Sequence, residues 1–161
     1  MKRELIRQGD VLFIPIAKLP GGERTKRENG TVAYGEVTGH SHTLMSADTA
    51  VVLEIGDAVY VAVSERGVSI QGDCDRIQAA CDAILVDPEE TELRKSRAQS
   101  LAAALPTAGA LFLHGGETEQ LERPVPAKEE DRHFPVALQP GIYGPRLQRE
   151  YSPEAIRSVR D

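Results

Sequence analysis

Two histidines separated by one residue, His40 and His42 in the stretch GEVTGHSHTL, are the strongest indication of chemistry in this sequence. The flanking residues are typical of an extended chain, and side chains two positions apart on a strand project to the same side, about 7 Å apart. Two imidazoles at that spacing can share one metal ion, so the pair predicts half of a metal site. Such a site needs three or four ligands, and the candidates for the others are His133, His114 and Glu36.

Histidine and carboxylate ligands favour zinc, iron, manganese or nickel, so the predicted cofactor is a divalent transition metal rather than calcium or magnesium. Such a metal can activate a bound water for hydrolysis. Glu36 or Glu130 could then act as the general base. The spacing does not fit the cupin pattern, because Ser46 and Ala47 stand where the cupin Glu belongs. The alternatives are uncoordinated, exposed histidines and a histidine that transfers protons without a metal.

A second polar stretch, QREY near the C-terminus, is a candidate ligand-binding strand. Its residues are polar on both faces of an extended chain, and Arg149 and Tyr151 could hold a small polar or anionic ligand. The alternative is a solvent-exposed edge strand. Gly144-Pro145, just before this stretch, favours that alternative, because both residues are typical of edges and bulges.

Composition restricts the possible function classes. The formal net charge is −6, with 25 Asp and Glu against 19 Lys and Arg, and only 4% of residues are aromatic. Nucleic acid is therefore not the expected partner, because proteins that bind it usually present basic surfaces and aromatic side chains for stacking. Cys74 and Cys81 are too few for a zinc site or a disulfide framework and are expected to be reduced thiols. No segment has the length and apolarity of a membrane span or a signal peptide, so a cytoplasmic location is expected.

The pattern of apolar residues predicts a chain rich in strands. Residues 11–16 form a predicted strand, and TVAYGEVTG forms another. Two more strands are expected around Gly56-Asp57, followed by a short third strand after Gly67. Pro140-Gly141 predicts a type II turn that joins two further strands as a hairpin.

Helical periodicity is confined to the middle of the chain. Apolar residues at helical spacing predict one helix with Cys74 and Cys81 on its buried face. Asp87, as an N-cap before Pro88, predicts a second helix that ends near Leu105. Together these helices form a predicted hairpin, residues 73–105, inserted in the β-rich chain.

The expected fold is one mainly β domain, residues 1–161, built as a small barrel or sandwich of about seven or eight strands. Residues 73–105 would cover a sheet face or edge, and a peripheral insertion would leave a β domain that folds without it. Ser152-Pro153-Glu154 predicts the start of a short C-terminal helix.

Both ends of the chain resemble a group of small phage and bacterial proteins. The resemblance rests on RQGDVLFIPI, GEVTGHSH and RHFPVALQPGIYGPRLQREYSPEAIRSV, and it covers about residues 4–66 and 129–160. The predicted helices fall between these regions, where this chain departs from the shorter members. The resemblance implies no particular reaction.

The resemblance does imply which residues to consider as a site. It points to His40, His42 and His133, with the acid-rich stretch EEDR just before His133. A histidine that other members carry in that stretch is missing here. The remaining ligand is therefore left open between His114 and Glu130.

Two functions follow from these observations. The first is a metal-binding β domain that supports hydrolysis. The second is a non-catalytic binding or assembly module from a phage or mobile element, whose strand edges or helices contact another protein or a second copy of the chain. Metal content and the state of association distinguish the two.

Overall fold

The computed structural model describes residues 4–34, 41–45, 49–65, 69–115, 125, 134–147, 149–151 and 156–158. The strands are β1 (Ile6–Gln8), β2 (Val11–Ile16), β3 (Thr25–Lys26), β4 (Thr31–Tyr34), β5 (Ser41–Leu44), β6 (Ala50–Ile55), β7 (Ala58–Val63), β8 (Ala110–Gly115), β9 (Val136–Leu138), β10 (Gly141–Leu147), β11 (Arg149–Tyr151) and β12 (Ile156–Ser158). The helices are α1 (Ser69–Val86) and α2 (Glu92–Ala104), and a 3-10 turn, Leu105–Thr107, follows α2. No helix in the described part of the chain is long and apolar enough to span a membrane.

The strands form two main sheets and a separate two-stranded ribbon. One sheet has the order β1-β2-β10-β7-β6-β3, the other has the order β4-β5-β8-β9, and the ribbon pairs β11 with β12. All recorded pairs are antiparallel. The expectation of a mainly β fold is confirmed. The pairs recorded among the described residues close no barrel, and the arrangement is that of a sandwich.

The space between the two sheets is filled by alternate residues of their strands. Phe13, Val61 and Tyr143 from the six-stranded sheet are buried with Phe112 and Leu138 from the four-stranded sheet. The ring centres of Phe13 and Phe112 lie 5.0 Å apart, and the ring planes are tilted by 47°. Such a tilt is electrostatically favourable for a pair of aromatic rings. This cluster is the contact that holds the sheets together.

The helices cover the other face of the four-stranded sheet. Ile77 and Cys81 of α1 and Leu101 of α2 pack in one cluster with Leu111 of β8. Leu111 lies between residues that face the six-stranded sheet, as the alternation of a strand requires. The molecule therefore has three layers, and the helices add a second apolar cluster to the sandwich. Cys74 and Cys81 are buried free thiols on the same helix face, as predicted.

The start of α1 differs from the prediction. Residues 69–70, expected in a short strand after Gly67, already belong to the helix. Ile70 is fully buried in the helical cluster, so the contacts of this apolar residue are those of a helix face. A short apolar run cannot be assigned to strand or helix from its own sequence, and packing decides the outcome here.

The start of α2 is also later than predicted. Its N-cap is Thr91, whose Oγ1 accepts a hydrogen bond from the Arg94 N–H at 3.2 Å. The predicted N-cap, Asp87, instead accepts a hydrogen bond from the Glu89 N–H at 2.9 Å and closes a separate turn. Both residues can cap a helix, but the Asp87 carboxylate accepts a hydrogen bond from the N–H two residues later, as in an Asx turn.

Two predictions for the C-terminal region were wrong. β9 and β10 do not form a hairpin, because β9 pairs with β8 while β10 lies between β2 and β7 in the other sheet. The turn between them, with Gly141 at φ 146°, passes the chain from one sheet to the other. The predicted terminal helix is replaced by β12, which pairs with β11. A single helical turn is unstable by itself, whereas the hairpin gives this segment a pairing partner.

The packing of the helix layer predicts the cost of truncating Ile77, whose side chain is fully buried. Ile77→Ala should lower the free energy of unfolding by about 2–5 kcal/mol, because it removes apolar contacts and leaves a cavity. Leu93→Ala, on α2 with 56% of the residue exposed, is the control and should change it by about 0.5 kcal/mol or less. Urea unfolding measures both, and equal effects would mean that the helices are peripheral.

The Cys81 thiol gives stability a pH dependence. Burial, and then the nearby Asp82 carboxylate, raise the pKa of Cys81 from 9.0 to about 11. Between these values the unfolded chain releases the proton and the folded chain keeps it, so stability is full below pH 9 and falls as the pH rises toward 11. The stability advantage of the wild type over Cys81→Ala should therefore shrink across that interval. An advantage that stays constant from pH 8 to 11 would contradict this assignment.

Candidate functional site

A buried polar network lies where the tight turn between β1 and β2 meets the four-stranded sheet. Gln8 ends β1 and pairs with Val11 of β2, so Gly9 and Asp10 form a two-residue hairpin loop. Gly9 has φ 55°, and a positive φ at the first loop position is typical of a type II′ turn. This turn brings the side chains of Gln8 and Asp10 into the core, where only 1% and 3% of these residues are exposed.

His42 of β5 lies between these two side chains. It is fully buried, its Nδ1 is 3.0 Å from Gln8 Oε1, and its Nε2 is 3.0 Å from Asp10 Oδ1. The strand pairing of β5 with β4 and β8 fixes the backbone of His42, and the β1–β2 turn supplies both of these partners. Residues more than thirty positions apart in the chain therefore meet in one hydrogen-bonded group.

The hydrogen bonds of Gln8 determine which atom of its amide faces His42. Gln8 Nε2 donates to the backbone carbonyl oxygens of Phe112 at 2.8 Å and Phe134 at 3.2 Å. The amide oxygen of Gln8 must then face His42, and it accepts a hydrogen bond from Nδ1. The Asp10 carboxyl oxygen lies at Nε2, and a proton on either atom completes a hydrogen bond between them.

This network is suited to joining the sheets rather than to attacking a substrate. Gln8 belongs to the six-stranded sheet, while His42 and Phe112 belong to the four-stranded sheet. Its hydrogen bonds cross the sandwich in the absence of any strand pairing between the two sheets in the described chain. His42 is fully buried, so a substrate could reach it only after local opening.

The predicted metal ligands and bases fall into three groups. The structure places His42 in the network and makes His114 of β8 its Cα partner on the neighbouring strand. Arg149 and Tyr151 form the two ends of β11. The others lie outside the described residues: Glu36, His40, Glu130 and His133.

The role of His42 as a metal ligand stays a prediction. In the described structure each of its ring nitrogens lies 3.0 Å from a side-chain oxygen of the protein, and a ligating nitrogen presents its lone pair to the ion. Among the described residues no group of three or more His, Cys, Asp or Glu is arranged to hold a metal ion. A metal site built on His40, His42 and His133, with His114 as a further ligand and Glu36 or Glu130 as base, stays a prediction.

A second feature, a cleft, opens where two strands of the six-stranded sheet separate. β10 pairs with β7 over only three residue pairs, from Gly141–Val63 to Tyr143–Val61. Beyond that point residues 144–147 keep their pairing with β2, and residues 58–60 keep their pairing with β6. The gap between these two stretches, here called the β7/β10 cleft, has a volume of about 920 Å³.

The β7/β10 cleft has a mainly apolar lining with charges at its margins. Its apolar walls include Ile14, Ile16, Val32, Tyr60, Pro145 and Leu147. Lys18, Arg27 and Arg146 add positive charge, and Asp57 is the acidic residue among the described lining residues. Arg27 is held by Glu54 at 2.6 Å. Lys18 and Arg146 have no ion-pair partner within the described parts of the chain and are exposed.

Gln8, Asp10 and the cleft were not identified from the sequence. A detectable signal existed for the first two, because RQGD places two polar residues around a turn glycine directly before an apolar strand. Polar residues at such a turn are usually exposed, so nothing local indicates that they are buried. The cleft depends on β10 joining β2 and β7, a pairing that links distant parts of the chain.

Residues 7–78, less than half of the chain, match a domain of unknown function, DUF8820. The matched region contains Gln8, Asp10 and His42, and it ends within α1. This match confirms the similarity to an uncharacterised family for the first part of the chain. No curated protein and no solved structure matches the chain.

The network predicts a large loss of stability in His42→Ala. The substitution removes the buried hydrogen bonds that His42 makes with Gln8 and Asp10, and it leaves a cavity, so the free energy of unfolding should fall by about 3–5 kcal/mol. Thr43→Ala, at the next position of β5, loses partly exposed hydroxyl contacts and should cost about 1 kcal/mol. Urea unfolding compares the two variants. Ring nitrogen NMR on the wild type should show a proton on His42 Nδ1, and an unprotonated Nδ1 would contradict the assigned orientation of the Gln8 amide.

Proposed function

We propose that this chain is a non-catalytic binding module and that its ligand lies in the β7/β10 cleft. The observation that carries the proposal is the cleft itself, which is formed by the separation of two strands in an otherwise continuous sheet. Its volume of about 920 Å³ lies at the upper end of the usual range for small-ligand sites. An apolar cavity with a few charges at its margin is the usual form of such a site.

The walls of the cleft are built on strands rather than on loops alone. β2 contributes Ile14 and Ile16, β10 contributes Pro145 and Leu147, and β4 of the other sheet contributes Val32. Strand walls hold their side chains in fixed positions, so less conformational entropy is lost when a ligand binds. This framework supports selective binding of an apolar ligand.

The charges support an anionic ligand. Two exposed cations without a recorded ion pair, Lys18 and Arg146, lie at the margin of an acidic protein. Such charges attract and orient a negatively charged partner. Within the described chain, the buried histidine network is part of the framework, and the cleft is the surface that offers shape, apolar area and charge together.

The proposal predicts that filling the cleft abolishes binding of an apolar anion. Gly144 lines the cleft, and a Cβ built on it lies 3.9 Å from Ile16 and from Tyr60, an ordinary contact distance. Gly144→Val should therefore fold while its methyl groups occupy the cleft. The dye 1-anilinonaphthalene-8-sulfonate, an apolar sulfonate, should bind the wild type near one equivalent and Gly144→Val about tenfold more weakly. Fluorescence titration gives both affinities.

A matched control separates filling of the cleft from a general effect of valine. Gly72 lies in α1, and a Cβ built there has no neighbour within 4 Å. Gly72→Val should bind the dye as the wild type does. Near-ultraviolet circular dichroism should be native for all three proteins, which excludes dye binding to a loosened core. Equal dye affinity in the wild type and Gly144→Val would refute the proposed site.

A further inference from the structure

The two strands that border the cleft each present an edge without a strand partner in the described chain. Among the described residues, 144–147 of β10 pair with β2 alone, and 58–60 of β7 pair with β6 alone. Each edge has backbone groups directed away from its existing partner. An edge strand is a template for another strand, and proteins that bind peptides use such edges to add one.

Apolar side chains lie beside these two edges, at positions where they could contact alternate side chains of an added strand. Tyr60 of β7 lies against Gly144 of β10, since a Cβ on Gly144 would be 3.9 Å from the Tyr60 ring. Ile16 and Leu147 extend this surface along the cleft. An extended segment would place alternate side chains on the apolar surface and the others toward solvent. Pro145 has no N–H to offer, so hydrogen bonds would form at its neighbours.

The charges at the margin of the cleft favour acidic peptide segments over basic ones. Lys18 and Arg146 are exposed at the cleft and have no ion-pair partner in the described chain, while Asp57 is the acidic lining residue there. The margin is therefore positive beside the partnerless edge of β10. A segment with acidic side chains at its outward positions fits this margin, and a basic segment is repelled.

We infer that the ligand of the β7/β10 cleft is an extended peptide segment of alternating apolar and acidic residues, which adds a strand at the edge of β10. This inference rests on the proposed binding function of the cleft and specifies the partner for it. A small apolar anion would use the walls and the charges, but it would leave the backbone groups of the two edges unpaired. A peptide would use the walls and the charges and would also pair with the edge of β10.

The experiment uses three fluorescein-labelled octapeptides with the full-length chain. The first alternates Val and Glu, the second alternates Val and Lys, and the third is the Val–Glu peptide with all of its backbone nitrogens methylated. The Val–Glu peptide should bind at least about tenfold more tightly than each of the others. Fluorescence anisotropy measures all three affinities. Equal binding of the first two removes the charge argument, and equal binding of the first and third removes strand addition.

Charge-reversal variants test the two cations directly. Lys18→Glu/Arg146→Glu should reverse the preference, so that the Val–Lys peptide binds more tightly than the Val–Glu peptide. Lys95→Glu makes the same kind of charge change on α2, outside the cleft lining, and should leave the preference unchanged. An unchanged preference in the double variant would overturn the inference.

The dye titration separates the failure of this inference from the failure of the proposed function. If the dye binds in a manner sensitive to Gly144→Val and no peptide binds, the cleft is a site for a small apolar anion and the inference is wrong. If neither dye nor peptide binds, both fail. If the wild type self-associates in sedimentation, Gly144→Val is monomeric and no peptide binds, the occupant is a second copy of the chain and the peptide inference is again wrong.

Discussion

The hydrogen bonds of His42 join the two sheets of the sandwich at a point where no strand pairing connects them. Apolar packing between the sheets is not directional, so many relative positions would bury similar areas. The network removes this freedom, because the Asp10 carboxylate and the Gln8 amide must both meet one imidazole at 3.0 Å. A mismatch would lengthen or break these buried hydrogen bonds, at a cost of about 1–3 kcal/mol for each polar group left unsatisfied. The register of the β1–β2 turn against β5 is therefore fixed by polar contacts inside an apolar core.

The same constraint extends from the network to the cleft. Asp10 directly precedes Val11, the first residue of β2, and β2 supplies one wall of the β7/β10 cleft. β10 pairs with β2 from Ile142 to Leu147, so the position of the second wall follows from the first. β7 leaves this assembly after three residue pairs with β10. The network and the pairing with β2 therefore fix the positions of β2 and β10. The cleft opens where β7 is no longer paired with β10.

Local features of the fold could be predicted from the sequence, while long-range features could not. The strand at residues 11–16 and the two strands around Gly56-Asp57 are confirmed, because apolar β-branched runs and turn glycines act locally. The buried faces of Cys74 and Cys81 follow in the same way from helical periodicity. The assumed hairpin at Pro140-Gly141 was wrong because β10 pairs with β2, more than a hundred residues earlier. No local sequence pattern predicts a pairing between strands that are so far apart in the chain.

The candidate site shows the same division between local and distant information. The spacing of His40 and His42 drew attention to a residue that proves to be central, but its role depends on partners 32 and 34 positions away. An HxH pair indicates side chains that can share an ion, and it contains no information on whether other groups already use their nitrogens. For His42 they do, since one nitrogen faces an amide whose own donors are committed to two carbonyls. A buried histidine whose two ring nitrogens both meet protein oxygens holds the sheets in position, and the β7/β10 cleft, whose wall it helps to place, is the feature that is open to a ligand.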